Sequence, residues 1–89
     1  MRESLIEKKV SDYATEQGWL VYKFSSPGSR AVPDKIYMKA GKVFFIEFKS
    51  PGKKPTKLQL KTHERIKAQG ISVFVIDDIE EGKALVDSQ

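Results

Sequence analysis

Hydrophobic and polar positions along the chain follow two different periods, and the changes of period mark out seven elements. Over 3–17, Ile6, Val10, Tyr13, Ala14 and Gln17 fall on one side of a helix, with Lys8, Lys9, Asp12 and Glu16 mostly on the other. Gly18 supplies the stop. Residues 19–25 are aromatic and β-branched and predict a strand. The run Ser25-Ser26-Pro27-Gly28-Ser29-Arg30 predicts a loop. Two further strands, 34–39 and 42–49, flank Ala40-Gly41, which is short enough for a hairpin turn. A second loop covers 50–56. Thr56 then caps a helix running to about Gln69, with Leu58, Thr62 and Ile66 as its expected buried stripe and Gln59 and His63 at the edge. Residues 71–76 form a short apolar strand, and 79–87 a last helix.

The resulting order, α-β-β-β-α-β-α, predicts a three-stranded antiparallel meander joined in parallel by the strand at 71–76, which follows a helical crossover. The expected fold class is α/β, a mixed sheet with helices on its faces. With 89 residues and no repeat or linker, 1–89 are expected to form one domain.

Composition narrows the chemistry. The chain has no cysteine, which excludes disulfides, thiolate metal sites and cysteine nucleophiles, and it has a single histidine, His63. The longest apolar run, Val43-Phe44-Phe45-Ile46, is far below the ~20 residues of a membrane span. The first residues carry no signal-peptide pattern, so a cytoplasmic location is expected. The net charge of +4 is unevenly spread. Residues 1–48 carry +2, residues 49–67 carry +6 and residues 68–89 carry −4. The middle block, with Lys53, Lys54, Lys57 and Lys61, is a candidate phosphate-binding surface. So is the loop bearing Ser25, Ser26, Ser29 and Arg30. Catalysis on this chain has to come from carboxylates, lysines, hydroxyls and a metal held by oxygen.

Polar residues that interrupt an apolar strand supply the candidate site. In 42–49, strand alternation puts Phe44, Ile46 and Phe48 on one face and Val43, Phe45, Glu47 and Lys49 on the other. A two-residue turn at Ala40-Gly41 pairs position 34 with position 47, so Asp34 and Glu47 become cross-strand neighbours. Adjacent carboxylates repel, at a cost that a bridging divalent cation removes. Lys49 beside them is placed to polarise water or to offset charge developing on a phosphate.

Val32-Pro33-Asp34 followed thirteen residues on by Glu47-Phe48-Lys49 resembles the PD-(D/E)XK nuclease motif. More narrowly, Lys23-Phe24-x-Ser26-Pro27-Gly28, Val-Pro-Asp, Phe-Ile-Glu-Phe-Lys, Pro51-Gly52-Lys53-Lys54-Pro55 and Leu58-Gln59 together resemble the VRR-NUC (virus-type replication-repair nuclease) family in its short, phage-like form. The similarity spans roughly 3–76, and one departure is Ala31, where the family usually has glycine. The resemblance implies a restriction-endonuclease-like fold and a Mg²⁺- or Mn²⁺-dependent DNA endonuclease. It implies that Asp34, Glu47 and the Phe48 backbone carbonyl bind metal, that Lys49 orients water, and that Gln59 supports Lys49 or the water. A first-helix carboxylate completes the set. Glu3 and Glu7 are both candidates, with Glu7 preferred on its spacing to Gly18 although Glu3 lies closer to the inward face. His63 is read as a packing residue. The expected partner is DNA, branched as in a Holliday junction, cut by a homodimer whose surface candidates are Tyr22, Tyr37 and Phe74. The alternatives are a flap or nicking nuclease and a catalytically silent DNA-binding module.

Overall fold

The computed structural model describes all 89 residues and contains the seven elements in the expected order. They are α1 (Glu3–Glu16), β1 (Leu20–Lys23), β2 (Lys35–Lys39), β3 (Lys42–Phe48), α2 (Lys57–Lys67), β4 (Ser72–Ile76) and α3 (Ile79–Ser88). The sheet order is β1-β2-β3-β4, antiparallel except for the parallel β3–β4 pair. No helix is long and apolar enough to cross a membrane.

Helix α1 buries Ile6, Val10, Ser11 and Ala14. Gln17, expected on that face, is exposed because the helix has already ended. Gly18, at φ 94°, lets its own N–H donate to the Thr15 carbonyl and the Trp19 N–H donate to the Ala14 carbonyl, both at 3.0 Å. This double bond pattern satisfies the last free carbonyls and turns the chain sharply into β1. At the hairpin, Ala40 (φ 50°) and Gly41 (φ 82°) both take the left-handed conformation that a two-residue turn between twisted strands requires.

Strand β3 lies between β2 and β4 and is buried on both faces from Phe44 to Phe48. One face packs under α1 and α3, where Phe44, Ile46 and Phe48 join Ile6, Val10, Ala14, Trp19, Tyr37, Ile76 and Val86 in the core. Tyr37 stacks on Phe44 at 4.8 Å between ring centroids, and Trp19 meets the same ring edge-on at 5.0 Å. Tyr37 is therefore not available at an interface: it is fully buried, with its hydroxyl 3.2 Å from Ser11 Oγ. Phe74 is half-buried against the core, whereas Tyr22 is 56% exposed on β1.

Helix α2 lies over the opposite face and departs from the expected stripe. Leu58 is 62% exposed and Leu60 47%, while His63 is the buried residue and Gln59, Thr62 and Ile66 are half-buried. The helix is rotated so that its polar side chains face the sheet. Its inner face sits over Glu47, a buried carboxylate to which Gln59 donates and which His63 Nε2 approaches to 3.5 Å; Leu58 has no such polar group to meet.

Candidate active site

The β2–β3 register pairs Lys35 with Ile46, and continuing it by one residue sets Asp34 opposite Glu47 as the turn arithmetic requires. Asp34 stands just before β2, after the buried Pro33. Its carbonyl accepts from the Phe24 N–H at 2.9 Å, and its Oδ2 accepts from the Phe48 N–H at 2.7 Å. The carboxylate is thus fastened to the end of β3, one residue beyond Glu47.

Glu47 is only 3% exposed. Burial, then the Asp34 charge, push its carboxyl up to about 8, against a smaller opposite pull from Lys49. Lys49 Nζ lies 4.0 Å from Glu47 Oε2. Gln59 Nε2 donates to the same oxygen at 3.4 Å. Gln59 supports Glu47, then, in place of the expected Lys49. Its other end is held by a reciprocal cap: the Gln59 N–H donates to Thr56 Oγ1 at 3.1 Å, and Gln59 Oε1 accepts from the Thr56 N–H at 2.9 Å. The start of α2 and the support of the buried carboxylate are one structure. A threonine followed three residues later by glutamine is the sequence signature of that cap.

The helix carboxylate is where the expectation needs correcting. Ligand atoms of Glu3, Asp34 and Glu47 all lie within 4.8 Å of one another. Glu7 is outside this group and faces Lys35 Nζ at 3.7 Å. Glu3 shares a helical stripe with the buried Ile6 and Val10 and, though itself exposed, reaches the cluster from the first turn of α1, while the half-buried Glu7, one turn on, is turned to Lys35. His63, read as a packing residue, is buried against Glu47. Its Nε2 is 3.5 Å from Glu47 Oε1, and burial lowers its pKa below the ordinary imidazole value. The signal in the sequence is its position one turn after Gln59 on the same helix face.

The expected phosphate-binding residues gather at this end of the sheet. Lys53, Lys54, Lys57 and Lys61 are exposed on the loop after β3 and the first turns of α2. That loop is pinned where the Gly52 N–H donates to Asp77 Oδ2 at 3.0 Å. In the loop before Asp34, Ser25 and Arg30 are exposed, and Ser26 and Ser29 face each other across a short bridge. Ser26 and Ser29 also line a groove of about 510 Å³ against Thr62, Arg65 and Gln69 of α2 and its end.

Three carboxylates at mutual ligand distance, with no thiol or imidazole among them, suit a hard divalent cation such as Mg²⁺ or Mn²⁺. The buried Glu47 Oε1 has no hydrogen-bond partner, as expected of a group whose partner is a ligand or a cation.

The architecture and the acidic cluster beside a lysine define a nuclease-type α/β fold. A solved structure described as a VRR_NUC domain superposes with a TM-score of 0.87, at 30% sequence identity over 96% of this chain and 94% of that one. A protein of Acyrthosiphon pisum secondary endosymbiont phage 1, described as "Putative nuclease p44", is 45% identical over 78 residues, 86% of this chain and 84% of its own length. No family model matches the sequence. On these similarities the chain belongs to the VRR-NUC family of nucleases, in its phage type.

Proposed function

We propose that the chain is a divalent-metal-dependent DNA endonuclease selective for branched DNA, resembling a Holliday junction resolvase and acting as a homodimer. The observation that carries this reading is the Glu3–Asp34–Glu47 cluster beside Lys49. Glu3, Asp34 and Glu47, with the Phe48 carbonyl, are the groups to hold Mg²⁺ or Mn²⁺. Bound there, such an ion supplies Lewis-acid polarisation of a phosphoryl oxygen and acidifies water. Lys49, 16% exposed, donates to the attacking water and offsets charge growing on the phosphate oxygens. Gln59 keeps the Glu47 carboxylate oriented. Lys53, Lys54, Lys57 and Lys61, with Ser25, Ser26, Ser29 and Arg30, take the phosphates on either side. Such contacts set register without reading bases, so selectivity rests on DNA shape. A junction requires two symmetric cuts, which a two-fold dimer supplies. The half-exposed Leu20 and Tyr22 on edge strand β1 offer surface for the second copy.

The test is a cleavage panel of single strands, duplexes, flaps and four-way junctions with Mg²⁺, Mn²⁺ or EDTA. Metal-dependent, paired nicking of the junction is expected. Cleavage that persists in EDTA removes the metal reading. Equal rates on every substrate leave a general nicking nuclease, and binding without cleavage leaves a DNA-binding module of the same fold.

A further inference from the structure

The two oxygens of Glu47 are attended from different sides. Oε2 faces Gln59 Nε2 at 3.4 Å and Lys49 Nζ at 4.0 Å. Oε1 and His63 Nε2 lie 3.5 Å apart, and neither of these two buried atoms has a hydrogen-bond partner, so each is the nearest available partner for the other. His63 is 2% exposed. It lies one turn after Gln59, so a single face of α2 reaches both oxygens of one carboxylate.

We infer that His63 is a positioning residue: its neutral imidazole, with the proton on Nε2, donates to Glu47 Oε1 and, together with Gln59, sets the plane of that carboxylate for cation binding. The inference rests on the metal-dependent reading above. The last torsion of a glutamate side chain is soft, so a carboxylate held on one oxygen alone rotates readily. Holding both oxygens removes that freedom before the cation arrives. Partners that orient metal ligands in this way are typically worth about 10- to 100-fold in metal affinity. A buried imidazole N–H without an acceptor would instead be a cost with no return.

The test uses the DNA-free protein and the metal alone. Titration calorimetry with Mg²⁺ and with Mn²⁺ compares wild type, His63→Phe and His63→Gln, with melting temperatures recorded for each. His63→Phe is expected to bind metal roughly 10- to 100-fold more weakly. His63→Gln, which keeps an N–H donor, is expected to recover most of that loss. A folded His63→Phe with wild-type metal affinity overturns the proposal, as does a His63→Gln no better than His63→Phe. Because the aromatic variant can fail to fold, nitrogen NMR of the wild-type protein gives an independent reading, helped by there being a single histidine. Nε2 is expected to carry the proton and to shift when Mg²⁺ is added. An unprotonated Nε2, or one unmoved while Mg²⁺ binds, overturns the proposal with the fold intact. Wild-type protein that neither binds metal nor cleaves DNA removes the nuclease reading and this one together; metal binding and cleavage indifferent to His63 remove only this one.

Discussion

Burial and the Asp34 charge make Glu47 a carboxyl group that opposes folding when it ionises. Below its ordinary pKa of 4.5 the group is protonated in both folded and unfolded chains and contributes nothing. Above that value the unfolded chain releases its proton, while the folded chain keeps it until about pH 8. Folded protein then binds more protons than unfolded, so stability falls across the window and levels off above it. Metal-free protein melted in EDTA is expected to lose melting temperature over this range, and Glu47→Gln is expected to lack that part of the loss. A variant with an unchanged pH profile would remove burial of Glu47 as the cause. On the proposed metal-dependent reading the same residue is a metal ligand, so Asp34→Asn and Glu47→Gln should each abolish cleavage while circular dichroism reports an intact fold. Lys49→Ala should lose rate at saturating DNA far more than it loses affinity, because its interaction strengthens in the transition state. Normal turnover by either carboxylate variant would sink the proposed site. Weakened binding at full rate would make Lys49 a backbone clamp.

The helix caps separate stability from function at the next scale. Thr56 starts α2 and fixes Gln59, whereas Asp78 starts α3 by accepting from the Glu81 N–H at 2.9 Å, away from the cluster. Either cap should contribute about 1 kcal/mol. Thr56→Val is expected to lower both the melting temperature and Mg²⁺ affinity: the Gln59 N–H loses its Thr56 Oγ1 acceptor, and although the backbone N–H of residue 56 still holds Gln59 Oε1, the first turn that positions both is loosened. Asp78→Ala is expected to lower the melting temperature alone. Equal effects of the two on metal titration would show that the α2 cap is only structural. The contrast also explains the two leucines that α2 leaves outside: once its first turn is locked over Glu47, rotation of the helix is set by Gln59 and His63, and Leu58 cannot turn inward.

For the whole molecule, charge and shape set the expected behaviour with DNA. The lysine loop is tied to the sheet through Asp77 and stands beside the acidic cluster. Neutralising Lys53, Lys54 and Lys57 should weaken DNA binding and flatten its salt dependence by ~0.9 log units of slope for each phosphate that is no longer neutralised. An unchanged slope would place the DNA elsewhere. Light scattering at micromolar concentration is expected to show a dimer. A monomer, with and without junction DNA, would favour the simple nicking nuclease. On the α2 side of the sheet, Leu20 (50% exposed), Tyr22 (56%) and Val43 (36%) form the apolar surface that such a dimer has to cover.

Local sequence signals are enough for the elements, their order, the two-residue hairpin and, through that turn, the meeting of Asp34 with Glu47. All of these are local: glycine stops, turn residues and strand alternation act within a few residues, and register follows by counting outward from Ala40-Gly41. The family resemblance is legible for the same reason, because its motifs lie on that hairpin and the loops at its open end. Which helical faces look inward depends instead on long-range packing. Glu3 and Glu7 are one turn apart on α1, and the two local signals conflict, spacing to Gly18 favouring Glu7 and helix angle Glu3; the seating of Ile6 and Val10 on the sheet brings Glu3 to the cluster and leaves Glu7 with Lys35. Likewise, apolar content predicts that Leu58 is buried, but a buried carboxylate on the facing strand makes Gln59 and His63 the better inner residues. The burial of Tyr37 has the same cause, since it depends on α1 crossing above the ring. Rotation of a helix about its own axis depends on long-range partners, and the periodicity of a single segment does not contain them.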